Sequence, residues 1–199
     1  MQEIYAADLQ ALADRGRLRA LRERSGIDFT SNDYLGLAES DELQKAAVDA
    51  LARGVPVGSG GSRLLRGNHP EHEALEHEAA AYFGAQSALY FGAGYVANVA
   101  IFATLPQRGD LIVHDELIHA SVHEGLRRSR AEFVGVPHND IDAFEAAVVR
   151  WRAAGNRGRP WLSVESLYSM DGDSPNLADL LAVADRHAAL VLIAAAHAA

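Results

Sequence analysis

Residues 161–193, WLSVESLYSMDGDSPNLADLLAVADRHAALVLI, decide the fold. Trp161–Val164 and Leu190–Ile193 are short apolar runs of strand length. Between them, Leu177–His187 repeats its apolar residues at helical spacing. Strand, helix and strand in that order form a crossover unit, which lays the two strands parallel. Both runs are continuous rather than alternating, so burial on both faces is expected. The same rhythm extends upstream. Strand-like runs at Ala88–Phe91, Leu111–Val113 and Glu132–Val134 are separated by helical stretches at about Tyr95–Thr104, Ser121–Arg128 and Ile141–Ala154. The alternation predicts a three-layer α/β/α fold with a mainly parallel sheet.

Ahead of this region the pattern changes. Leu9, Leu12, Leu18 and Leu21 recur at helical spacing and predict an amphipathic helix. Ser31–Gly36 is turn chemistry, and Ser40 before Asp41 and Glu42 is a helix start running to Gly54. Gly54–Pro70 holds five glycines, and a helix from about Glu71 to Phe83 follows. The chain therefore reads as an N-terminal helical segment and linker, 1–53, followed by one α/β domain, 54–199.

Composition narrows the function. With 18 basic and 27 acidic residues among 199, the net charge is −9, which disfavours nucleic acid and anionic membranes as partners. No apolar run reaches membrane-spanning length, and the N-terminus lacks a secretory layout, so a cytoplasmic protein is expected. Cysteine is absent, which removes disulfides and thiolate chemistry. Only one of the basic residues is a lysine, Lys45.

Four motifs carry chemistry. Phe91-Gly92-Ala93-Gly94-Tyr95-Val96-Ala97 joins a predicted strand to a helix, and a helix N-terminus there could hold a phosphate. It also satisfies G-x-G-x-x-A, with Asp115 near the distance of a ribose ligand, so a Rossmann-like nucleotide site is one reading. The 58–67 run GSGGSRLLRG lacks the Lys-Ser/Thr pair of a Walker loop and reads as an ordered loop near an anion. His119 and His123 stand four apart, but no acidic third ligand has an obvious place, so no metal site is assigned. Glu165, Ser169 and Asp171 follow a buried strand at its carboxyl end, where ligand groups belong in an open α/β sheet.

Taken together, SNDYLGL at 31–37, GSGGSRLLRGNHPEHEALE at 58–76, the Gly94-Tyr95 turn, IHAS at 118–121, HND at 138–140 and YSMDGD at 168–173 resemble the α-oxoamine synthases. The resemblance implies pyridoxal 5'-phosphate (PLP) in the aminotransferase fold. It implies a homodimer that joins an amino acid to an acyl thioester with loss of carbon dioxide. The branch most like this chain condenses L-alanine with a pimeloyl thioester, carried by CoA or acyl-carrier protein, to 8-amino-7-oxononanoate in biotin biosynthesis. Branches making 2-amino-3-ketobutyrate or 5-aminolevulinate, and a non-catalytic Rossmann-like fragment, are the alternatives. By resemblance, Arg22 takes the substrate carboxylate, Gly94 and Tyr95 the cofactor phosphate, and His119 stacks on the pyridine ring beside the substrate. Ser169 and Glu165 match polar groups around the cofactor, and His197 bonds its phenolic oxygen.

Two departures from the family stand out. The motif that should read roughly Val-Asp-Glu-Ala-His reads Ile193-Ala194-Ala195-Ala196-His197, so Ala194 replaces the aspartate that holds the ring-nitrogen proton. The family's Schiff-base lysine and C-terminal domain have no counterpart, and Lys45 sits in an early amphipathic helix. The expectation is an N-terminal portion of such an enzyme, inactive by itself.

Overall fold

A computed structural model describes residues 2–197, apart from Arg22 and Arg24. Its chain divides into two compact units, Met1–Val57 and Gly58–Ala199.

In the first unit, helix α1 spans Ala6–Asp14 and α2 spans Asp41–Ala52. The leucine periodicity overshoots the helix: α1 stops at Asp14, and Gly16 turns the chain with a φ of 65°. Leu18 and Leu21 therefore lie outside any helix. The Ser31–Gly36 turn is built by Asp33, whose carboxylate accepts the N–H groups of Leu37 and Ala38 at 2.8 and 3.1 Å. Ser40 caps α2, its hydroxyl accepting the Leu43 N–H at 3.2 Å, as its sequence position predicts. Lys45 lies on α2 in an exposed ion pair with Asp49, 2.9 Å apart.

The second unit holds α3 (Pro70–Tyr82), α4 (Gly94–Thr104), β1 (Leu111–Asp115), α5 (Ala120–Arg128), β2 (Glu132–Val136), α6 (Ile141–Ala153), β3 (Pro160–Glu165), α7 (Leu177–His187) and β4 (Leu190–Ala194). The four strands form one parallel sheet in the order β2-β1-β3-β4. β1 and β3 are central and buried throughout, which explains their unbroken apolar runs. β2 and β4 lie at the sheet margins, and most of their residues are at least partly exposed, so burial on both faces holds only for the central pair.

Alternate residues of each strand meet different helices. Leu111, Val113, Leu162 and Val164 pack with Phe144, Val148 and Trp151 of α6 and Leu180 and Val183 of α7. Ile112 and Trp161 pack on the opposite face with Phe102 of α4 and Val122 and Leu126 of α5. Fully burying an aliphatic or aromatic side chain of this size stabilises by about 1.5–3 kcal/mol, so these two layers hold the unit together.

The predicted strand Ala88–Phe91 does not join the sheet. A strand needs a neighbour for its backbone groups, and here the Tyr90 N–H donates instead to Glu76 Oε1 at 2.8 Å. Glu76 also holds Arg63 through both carboxylate oxygens, which anchors the glycine-rich loop to α3. The Arg63 hydrogen bonds and the Tyr90 N–H lower the Glu76 pKa to about 2. Carboxyl-detected NMR should find Glu76 still ionised at pH 3, where an unperturbed glutamate is mostly protonated.

α4 and α5 pack closely because residue 125 is glycine. A Cβ added there would lie 2.7 Å from the Phe102 Cβ and 3.3 Å from the Val99 Cα. Neither atom is the loose end of a side chain, so the helices would have to part. Gly125→Val should destabilise by about 1–3 kcal/mol through overpacking. A lower denaturation midpoint at unchanged slope would register it.

Candidate functional site

The carboxyl ends of the strands bring the chemistry-bearing residues together. Strand alternation puts Glu165 and Ala194 on the same sheet face as Trp161 and Leu192, the face covered by α4 and α5. The two are register partners at the ends of β3 and β4. Glu165 is only 5% exposed, and its carboxylate makes no hydrogen bond among the described residues. Ala194 contributes its carbonyl oxygen, which accepts from the Ser166 N–H at 2.8 Å and the Ser166 hydroxyl at 3.3 Å.

α4 begins on this face without a cap. Ala93, the residue before it, is extended, and no side chain accepts from the first turn. The first helical bond runs from Ala97 N–H to Ala93 O, so the N–H groups of Gly94, Tyr95 and Val96 remain for a ligand. A Cβ at Gly94 would meet no atom within 4 Å, so the space beside this first helical residue is open. Donors and helix dipole together suit a phosphate.

His119 caps the neighbouring helix. Its Nδ1 accepts the Ser121 N–H at 3.2 Å and lies 2.7 Å from the Ser121 hydroxyl. Because Nδ1 is the acceptor, the ring proton belongs on Nε2. Ser121 is fully buried and also accepts from Asn98 Nδ2 of α4 at 2.9 Å. An Asn98–Ser121–His119 chain thus fixes an exposed imidazole relative to the helix that starts at Gly94. Sequence reading missed Asn98 and held Ser121 only as the end of the IHAS motif, without a role; their link becomes visible only once α4 and α5 pack.

Ser169 is exposed in the loop after β3, and His197 is half-buried just past β4. Arg22 lies outside the described residues. Asp115 is not a ribose ligand. It is fully buried, on the α6–α7 face of β1, and its carboxylate accepts the N–H groups of Leu117 and Asn139, each at 2.8 Å, and faces His138 Nδ1 at 2.9 Å. Burial pushes its pKa up, but these donors outweigh burial and hold it below the ordinary aspartate value. With that carboxylate committed and no sheet strand before Gly92 among the described residues, the Rossmann reading loses both supports. His119 and His123 do not converge on a metal, since the His119 ring is tied to Ser121 and His123 stands edge-on to the buried His114.

The layered parallel sheet, with an uncapped helix and a fixed imidazole at its carboxyl end, is the PLP-dependent transferase fold, and the chain belongs to the aminotransferase class I and II family, whose model matches residues 24–199. It is similar to the 8-amino-7-oxononanoate synthase of Mycolicibacterium smegmatis, 45% identical over 198 residues, covering 97% of this chain and 50% of that protein. The enzyme of the same name from Geobacter sulfurreducens is 39% identical, covering 99% and 53%. Among solved structures, serine palmitoyltransferase from S. paucimobilis with bound PLP and myriocin superposes with a TM-score of 0.83 at 26% identity, over 97% of this chain and 52% of that one. The 8-amino-7-oxononanoate synthase of Francisella tularensis superposes with a TM-score of 0.67 at 26% identity, over 86% and 45%. The chain spans about half the length of the curated relatives it matches.

Proposed function

We propose that this chain carries part of the active site of an 8-amino-7-oxononanoate synthase, a PLP-dependent C-acyltransferase of biotin biosynthesis. Its substrates are L-alanine and a pimeloyl thioester of CoA or acyl-carrier protein, and it works as a cytoplasmic homodimer. The observation that carries the reading is the pairing of the uncapped α4 N-terminus with an imidazole tied to α4 through Ser121. The curated relatives at 45% and 39% identity both carry the name of this branch. No helix among the described residues is long and apolar enough to cross a membrane.

The residues present fit PLP at its phosphate and ring. Gly94, Tyr95 and Val96 offer N–H donors to the phosphate, and the open space at Gly94 admits it. His119 offers a flat face for the ring, held by Ser121, and Ser169 and His197 remain as polar partners by resemblance. Arg22 is proposed for the substrate carboxylate. Bound PLP supplies an electron sink for the bonds at the amino acid Cα. The fit fails at one point: Ala194 brings no acid to the place of the ring-nitrogen aspartate. Glu165, its register partner, is the buried carboxylate beside it.

Titration of the chain with PLP, followed by absorbance, should show saturable binding. Gly94→Asp puts a negative charge in the first turn of α4, where it competes with the phosphate, and should weaken PLP at least about tenfold, equivalent to about 1.4 kcal/mol. Saturable NAD binding without PLP binding would overturn the proposal.

A further inference from the structure

His138 follows β2 and lies between two carboxylates. Its Nδ1 is 2.9 Å from Asp115 Oδ1 at the end of β1, and its Nε2 is 2.9 Å from Asp173 Oδ2 in the loop after β3. Its backbone N–H donates to Glu116 Oε1 at 3.2 Å, and the edge of Tyr168 meets its ring at 4.5 Å between centroids. The neighbouring Asn139 adopts a φ of 56° and reaches the same Asp173 oxygen with its side-chain amide at 2.8 Å. The groups facing His138 are thus three carboxylates, a phenol and an amide.

Asp115 ends β1 where the chain enters the loop to His119, and Asp173 lies in the loop that carries Ser169. Asp115 also holds the Leu117 N–H, two residues before His119. The Asp173 carbonyl accepts the Tyr168 N–H at 2.9 Å, and the Tyr168 carbonyl accepts from Gly172 at 2.8 Å, closing the turn that contains Ser169. Asn139 makes a parallel link, with its backbone N–H on Asp115 and its side-chain amide on Asp173, each at 2.8 Å. We propose that His138 is a positioning residue: by bonding Asp115 and Asp173 at once, it locks the loop carrying His119 to the loop carrying Ser169. A link to cofactor binding rests on the PLP reading above.

Both ring nitrogens face carboxylates, so the arrangement is complete only when both carry protons. Burial opposes the charge, but hydrogen bonds to Asp115 and Asp173 outweigh it and raise the His138 pKa above its ordinary value. Because the folded value is the higher one, the stabilising contribution is full below the ordinary histidine pKa. It is lost as pH rises through the folded value. The lock should therefore loosen on the alkaline side.

The test uses the 199-residue chain and its His138→Gln and Asp173→Asn variants. Three quantities are measured: the His138 titration by NMR, amide exchange at Leu117, Tyr168 and Gly172, and PLP affinity. Wild-type His138 should titrate above the ordinary histidine value, and Asp173→Asn should bring it down. Exchange at the three amides should rise about threefold to fivefold in either variant, as local opening becomes easier. Wild-type exchange beyond its intrinsic pH trend should step up through the His138 pKa, and His138→Gln should abolish the step. PLP affinity should weaken in parallel. Unchanged exchange in Asp173→Asn, or a His138 titration indifferent to it, would overturn the lock even if His138→Gln fails to fold. Faster exchange with unaltered PLP affinity would overturn the positioning role. A wild-type chain that binds no PLP would defeat the PLP reading, while titration and exchange would still decide the lock.

Discussion

Asp115→Ala should destabilise the second unit by about 3–5 kcal/mol, the cost of removing one partner from a buried charged cluster. Asp115 is fully buried, and its carboxylate meets two backbone N–H groups and an imidazole. Alanine would leave all three donors without an acceptor, and an unmet buried donor costs more than a hydrogen bond gains. Asp173 is the control. It contacts the same imidazole, but its side chain is 45% exposed, so Asp173→Ala should cost no more than about 1 kcal/mol. Urea unfolding of the two variants should separate them clearly. Equal midpoints would show that Asp115 does not anchor the strand ends.

The second large effect concerns turnover. The 199-residue chain, given PLP, L-alanine and pimeloyl-CoA, should form product several orders of magnitude more slowly than a full-length relative. Losing one member of a catalytic unit already has that effect, and such losses do not add. Lys45 cannot stand in, because it is paired with Asp49 on an exposed helix face with side-chain exposures of 78% and 53%. Ala194 removes a second group. Ala194→Asp alone should leave turnover absent while strengthening PLP binding, since an acid beside the ring nitrogen stabilises its protonated form. Mass spectrometry of the 8-amino-7-oxononanoate product would check the first part, and PLP titration the second. Product at a relative's rate would refute the expectation.

Much of this was legible in the sequence because local patterns are strong there. The Leu177–His187 helix and the four sheet strands follow from apolar runs and spacing, and Ser40 announced its helix through capping chemistry. Where the reading missed, the deciding partner lay far along the chain. Ala88–Phe91 has strand composition, yet the Tyr90 N–H finds a glutamate 14 residues earlier instead of a neighbouring strand. Leu18 and Leu21 keep the helical beat past a glycine that takes positive φ. β2 and β4 look like buried strands, and only the strand order reveals them as margins.

The site divides in the same way. Gly94, Tyr95 and His119 were readable because a helix start and a family motif coincide there. The Asn98–Ser121 link was not, since 23 residues separate the two and only the close contact at Gly125 brings them into hydrogen-bonding range. The Asp115–His138–Asp173 cluster joins three strand ends over 58 positions, and HND at 138–140 was visible as a motif without a role.

The most direct test of the central claim, that the α4–α5 face at the strand ends holds PLP, is a crystal structure of the chain soaked with PLP. The phosphate should sit against the N–H groups of Gly94 and Tyr95, with the pyridine ring against His119 and its nitrogen toward Ala194 and Glu165. A phosphate bound elsewhere, or a ring on the α6–α7 face, would contradict the account.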